Sequence, residues 1–224
     1  ILEEIKKEGN LLQRVYFAVS AGEPAETLLR LGPKLDPENM LTVRGIKLYA
    51  DGALGSRGAA LLEKYEDQDT TGLLIFTKEE TLPVLEKALK KGIQIQTHAI
   101  GDKGNRITLD WYQEAFNSIV DEERKVIDPR WRIEHSQIIT KEDQIRFRDM
   151  EIIASMQPSH AIGDLHFAPS RLGMQRVGNG YVWRNLIDLG VVVAGGSDAP
   201  VEIGDPRIEF YAAVARKDLD GFYD

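Results

Sequence analysis

The 224-residue sequence predicts an α/β fold, and within that class a (β/α)8 TIM barrel ahead of an open doubly wound sheet. Three observations carry this prediction. Six short apolar runs alternate with helix-like segments, the rhythm of parallel strands joined by crossover helices. The ionisable residues associated with those runs fall towards their C-terminal ends, where barrel enzymes build their sites. No G-x-G-x-x-G follows the first run, where a dinucleotide-binding sheet would carry one.

Taken in order, the chain opens on a helix-like stretch, ILEEIKKEG, that starts at Ile1 rather than Met and so reads as part of something longer. Strands are expected at 14–20 (RVYFAVS), 43–50 (VRGIKLYA), 93–98 (IQIQTH), 131–136 (WRIEHS), 152–157 (IIASMQ) and 190–197 (GVVVAGGS). Their valine and isoleucine content predicts burial on both faces, as in a parallel sheet. Between them, Thr77 and Glu80 have capping-box spacing, and Gly92 follows Lys90 and Lys91 where a C-terminal cap belongs. Pro83 falls inside that helical segment and predicts a later start for it. Thr140 precedes acids in a first turn, and Asp205-Pro206 is an N-cap with proline at the first helical position. Trp111, Tyr112 and Phe116 have the spacing of a helix face packed on a core. No repeat, low-complexity tract or Gly/Ser/Pro linker divides the chain, so residues 1–224 are read as a single domain.

Composition narrows the function classes. Apolar residues make up 42% and charged residues 29%, an ordinary globular balance. With 28 Lys and Arg against 36 Asp and Glu, the formal net charge is −8. There is no dense basic run, which argues against nucleic acid and anionic membrane as partners and leaves a small-molecule substrate. The chain has no Cys, excluding disulfides, thiolate metal sites and a Cys nucleophile, and a cytoplasmic location is the expectation. No apolar run approaches the roughly 18 residues of a membrane span.

The chemistry-bearing residues cluster by position. His98 ends IQIQTH, His135 ends WRIEH, and Asp198 follows VVVAGGS where the apolar run stops. One histidine at a strand end is more often a hydrogen-bonded core residue than a ligand. Two of them with an aspartate, from three strands in one register, point instead to metal ligation, since imidazole and carboxylate are ordinary Zn²⁺ donors. Lys47, in the later half of its strand, leaves three readings open: an amine paired with an acid such as Asp51 or Asp198, a Schiff-base lysine, or a carbamate able to bridge two metal ions. Gly195 and Gly196 are read as permitting close backbone approach beside Asp198.

Five segments, IKLYADGALGSRGAAL, QTHAIGDKGNR, WRIEHSQ, ASMQPSHAIGD and AGGSDAPVEIGDP, resemble in order and spacing the amidohydrolase superfamily, in the branch that includes N-substituted formamide deformylases. The resemblance covers most of residues 40–220. It implies a metal-dependent hydrolase of amide-like, non-peptide C–N bonds on a (β/α)8 barrel, with one or two divalent ions, zinc first and manganese or iron fitting the same donors. By it Lys47 matches the lysine of the family's fourth strand, expected to be carboxylated. His98 and His135 match the metal-binding histidines of the fifth and sixth strands, and Asp198 the metal-binding general base of the eighth. His160 is expected to contact substrate or an oxyanion, with Asp51 and Arg57 as further substrate contacts in the loop after Lys47; His166 is a weaker candidate.

The chain departs from the family in lacking His-x-His, the family's first-strand ligand pair; its four histidines are His98, His135, His160 and His166. The six expected strands therefore correspond to the family's third to eighth, a partial barrel without the first two strands or the small β-sandwich domain. Two alternatives follow: a catalytically incomplete fragment whose open strand edges favour homo-oligomers, and a metal-free Schiff-base lyase working through Lys47.

Overall fold

The computed structural model describes residues 1–221. Along the chain lie α1 (Leu2–Lys7), β1 (Val15–Ser20), α2 (Glu23–Leu31), β2 (Leu41–Tyr49), α3 (Lys78–Lys91), β3 (Gln94–Ala99), α4 (Asp102–Ser118), β4 (Arg132–His135), α5 (Lys141–Asp149), β5 (Ile153–Met156), α6 (Pro158–Gly163), α7 (Ala168–Val177), α8 (Trp183–Asp188), β6 (Val193–Gly195) and α9 (Pro206–Ala215). The six strands form one sheet in the order β1-β2-β3-β4-β5-β6. The β1/β2, β4/β5 and β5/β6 pairs run parallel. Each strand sits beside its predecessor, so the order has no reversal, and the doubly wound alternative, which needs one, is excluded. Among the described residues no helix is long and apolar enough to cross a membrane.

The described residues fall into two compact units. The first holds Ile1–Leu48, Lys78–Gln96 and Trp111–Trp131; the second holds Tyr49–Thr77, Thr97–Asp110 and the chain from Arg132 onward.

In the first unit, Ile46, Leu85, Leu89, Ile93, Ile95, Tyr112 and Trp131 are fully buried. The Tyr112 and Phe116 rings each meet Trp131 at 4.9 Å between centroids. The Trp131 indole donates to the Ile93 carbonyl at 3.1 Å, which satisfies the one polar atom this ring brings into the core. The helix face Trp111–Tyr112–Phe116 thus packs as its spacing predicts. α3 ends in a Schellman motif: Gly92 takes φ +69°, its N–H donates to Leu89, and Ile93 N–H donates to Ala88 at 2.9 Å. Pro83 does not delay the helix, which starts at Lys78 and runs through it. β1 departs from the expected two-sided burial, exposing Tyr16 and Phe17, and among the described residues it has a sheet neighbour on one side only.

In the second unit, Leu54, Ala59, Leu61, Tyr65, Ile100, Ile138 and Leu172 form the main apolar cluster. Both expected N-caps are in place: Thr140 accepts from Asp143 N–H, and Asp205 accepts from Arg207 N–H at 2.9 Å. The final strand is far shorter than 190–197. Only Val193–Gly195 pair, Val191 is held by the end of α8 through Leu186, and Val192 is 55% exposed. The valine run is therefore an edge strand and not a fully buried one. Gly195 and Gly196 have nothing within 4 Å of where a Cβ would stand, so no neighbouring protein atom crowds them.

Candidate functional site

Three histidines line up in the second unit. His98 lies near the end of β3, His135 ends β4, and His160 sits in α6 directly after β5. The His98 and His135 rings meet edge-on with centroids 4.4 Å apart, and His135 stacks on His160 at 5.7 Å and 17°. Parallel pairing explains the row: β4 and β5 run in register, so side chains at and just past their ends fall side by side. Tyr49 flanks the row, its ring 5.6 Å from that of His98. His135 adopts φ +73° and Ser136 φ +45°, a left-handed bend in non-glycine residues of the kind found where a site fixes a side chain.

The segment that follows β2 holds His98 in place. Ala50 N–H donates to the His98 carbonyl at 2.8 Å. The His98 Nε2 lies 3.5 Å from both the Gly52 carbonyl oxygen and Asp51 Oδ1. Asp51 itself is completely buried and accepts backbone N–H bonds from Ala60 (2.8 Å), Ile100 (2.9 Å) and Gly101 (2.8 Å). Burial pushes its carboxyl up to about 7, against the lowering pull of those three bonds. The residue read from sequence as a contact on a substrate-side loop thus lies beneath that loop and anchors it. Arg57 faces Asp67, to which it donates twice, at 2.9 and 2.8 Å, and Arg171 engages the same carboxylate. The two guanidinium groups hold the Asp67 carboxyl below its ordinary range, Arg57 contributing most.

His160 Nε2 lies 3.5 Å from Glu202 Oε1, on the loop after β6. The helix after that loop, α9, is tied to α6 through Glu209, which accepts from Ser159 N–H at 3.0 Å and from its hydroxyl at 2.6 Å. One turn beyond His160, Asp164 accepts from Tyr181 Oη at 2.5 Å and Gln137 Nε2 at 2.7 Å. Burial raises the Asp164 carboxyl, opposed by the Tyr181 bond and the charge of His160. These groups edge a cavity of about 410 Å³ lined also by Leu54, Ile138 and Leu172. Asp164, Gln137 and Tyr181 were not singled out in the sequence, although Gln137 and Asp164 lie inside segments quoted for their resemblance.

The remaining candidates lie on other elements. Asp198 lies past β6 on an exposed turn with φ +54°, its carbonyl accepting from Val201 N–H at 2.9 Å. His166 is half exposed, with Nε2 3.6 Å from Asp218 Oδ2. Lys47 is half-buried on β2 in the first unit, in register with Ser20 of β1. Among the described residues no three His, Asp or Glu side chains converge closely enough to hold a metal ion. His98 and His135 supply imidazole donors of the right chemistry for a divalent cation, side by side, but only two of them.

The chain is similar in sequence and in fold to known proteins. The amidohydrolase family profile fits residues 1–222. The chain belongs to the amidohydrolase family. This amidohydrolase chain is 36% identical over 174 residues to the YtcJ protein of Bacillus subtilis (strain 168), covering 77% of this chain and 31% of that one. It is 35% identical over 178 residues to the Arabidopsis thaliana protein LONG AFTER FAR-RED 3, covering 79% of this chain and 30% of the relative. In structure it resembles an uncharacterized metal-dependent hydrolase from Pyrococcus horikoshii OT3, with a TM-score of 0.84 and 30% identity, covering 96% of this chain and 42% of the other. The chain spans about a third of the length of the curated relatives it matches.

Proposed function

We propose that this chain is the site-bearing part of a metal-dependent hydrolase that cleaves amide-like, non-peptide C–N bonds, and that its sheet is an arc of a (β/α)8 barrel. The observation that carries the reading is the His98–His135–His160 row at the ends of successive parallel strands. His98 and His135 would hold a divalent ion, zinc first, with manganese or iron suited to the same donors. Such an ion, when bound, supplies an activated water near neutral pH. Asp198 would accept the proton of the attacking water at its carboxylate and return it to the departing nitrogen, so one residue would serve both halves of the reaction. His160, stacked on His135 and facing Glu202, donates to the oxygen on which negative charge develops. Lys47 is carried in the proposal as a carbamate on its sequence match. The substrate is a small amide or formamide, the location is cytoplasmic, and family membership together with the metal-dependent hydrolase from Pyrococcus supports the reaction class.

The test is zinc titration by calorimetry, followed by assay of the metal-loaded protein on small N-formyl and N-acyl amines. Zinc uptake that is lost in His98→Ala and in His135→Ala supports the proposal. A protein that takes up no zinc, manganese or iron and hydrolyses none of these amides overturns it. A carbamate signal assigned to Lys47 by NMR in isotopically labelled bicarbonate would separate the hydrolase from a Schiff-base lyase.

A further inference from the structure

We infer that Glu209 is a positioning residue for His160: from α9 its carboxylate closes the first turn of α6 and so sets where that imidazole stands beside His135. The consequence for catalysis rests on the hydrolase reading above, but the placement of His160 does not.

The local sequence leaves α6 without a cap of its own. The first N–H groups of a helix have no partner inside it. Pro158 has no N–H to satisfy, and Gln157, at the N-cap position, makes no side-chain cap bond. Ser159 therefore brings the first donor of the turn, on a buried residue where an unmet N–H is costly. Glu209 meets that donor from α9. Its Oε2 accepts the Ser159 N–H at 3.0 Å and its Oε1 accepts the Ser159 hydroxyl at 2.6 Å, the short distance of a bond to a charged acceptor. Two bonds to one residue fix both the position and the rotation of the turn, and His160 is the next residue. Its Nε2 is buried and makes no hydrogen bond among the described residues, so the aim of the ring follows the backbone of α6 and the stack on His135 at 5.7 Å. The same tie reaches the loop that carries Asp198. Gly196 N–H donates to the Met156 carbonyl at 3.0 Å. That loop is thus held to β5 at its start and, through Glu209 in the first turn of α9, to α6 beyond its end.

Two variants of the full chain separate this role from simple stabilisation. Glu209→Ala removes both acceptors, and Ser159→Ala removes the hydroxyl bond while keeping the N–H one. NMR of the imidazole rings, with His98 on β3 as internal reference, reads the placement of His160 in each. The expected result is a His160 resonance displaced in Glu209→Ala and displaced less in Ser159→Ala, with that of His98 in place. A tie that only stabilises the fold would lower the melting temperature of Glu209→Ala and leave His160 unmoved in the folded chain, which overturns the inference. Should Glu209→Ala not fold, Ser159→Ala decides, and an unmoved His160 there overturns it equally. On the metal-loaded protein, kcat for an N-acyl amine should fall about a hundredfold in Glu209→Ala with KM within about twofold, because a donor to developing negative charge acts in the transition state. A displaced His160 with kcat unchanged, or in a chain that hydrolyses none of these amides, keeps Glu209 as positioning residue and overturns only the catalytic reading of His160.

Discussion

At the scale of single residues, the second unit depends on atoms with no room to move. A Cβ at Gly101 would stand 1.9 Å from the Ala60 carbonyl oxygen, and that oxygen already accepts from Lys103 and Gly104 N–H. Backbone opposes backbone here, so no rotamer change relieves the clash. Gly101→Ala is therefore expected to destabilise the protein by about 3 kcal/mol or more, read as a fall in the denaturant midpoint. A variant with an unchanged midpoint would show that the β3–α4 turn yields easily. In the first unit, Asp36 accepts from Lys6 and from the N–H groups of Met40 and Leu41, and its carboxyl is held at about 2, chiefly by the Lys6 bond. The folded value lies below the ordinary 3.8, so the folded state binds the proton less readily than the unfolded one. The stabilisation is then complete above about pH 4 and lost as pH falls through about 2. Asp36→Asn should lower the melting temperature near neutrality, with the deficit closing as the acid limb is descended. A deficit independent of pH would place the effect in the backbone bonds alone.

At the scale of elements, caps and strand ends were the legible features. Thr140 illustrates why: its hydroxyl accepts from Asp143 N–H, donates to Asp143 Oδ2 at 3.0 Å and accepts from Arg106 at 3.0 Å. The local pattern was enough to place the cap, because capping is short-range chemistry. Thr140→Ala should cost about 1 kcal/mol by chemical denaturation while leaving the His98 ring resonances in place; a loss well beyond that would mean that Arg106 and Asp143 also depend on the hydroxyl. The histidine row was legible for a similar reason, since strand ends in a parallel sheet share a register. What sequence could not show was set by tertiary context. The valines at 191–193 read as a buried strand, but whether such a run has neighbours on both sides depends on its place in the sheet. Pro83 read as a helix start, yet α3 carries it in the interior, where packing of Leu85 and Leu89 outweighs one lost backbone bond. Asp51 read as a loop contact because burial of an acid by three distant N–H donors leaves no local signature. Helices α6, α7 and α8, between β5 and β6, went unread for want of a strong amphipathic period.

At the scale of the whole molecule, the sheet presents a different balance from its charge. A formal net charge of −8 favours a dispersed chain. Against it, among the described residues β1 has a sheet neighbour on one side only and exposes Tyr16 and Phe17, each by more than two-fifths of its surface. Within the second unit, α9 turns Phe210 and Val214 outward, both 73% exposed. Apolar side chains exposed on an edge strand invite association with another strand. Charge repulsion between copies is screened over about 8 Å at physiological salt, whereas edge pairing acts at contact. Association should therefore strengthen with ionic strength. The expected outcome is a light-scattering mass that rises with protein concentration and rises further with added salt. Tyr16→Lys with Phe17→Lys should abolish that rise if β1 is the edge used. If instead Phe210→Lys with Val214→Lys abolishes it, the contact lies on α9, and a mass constant at every concentration and salt would show that neither surface drives self-association.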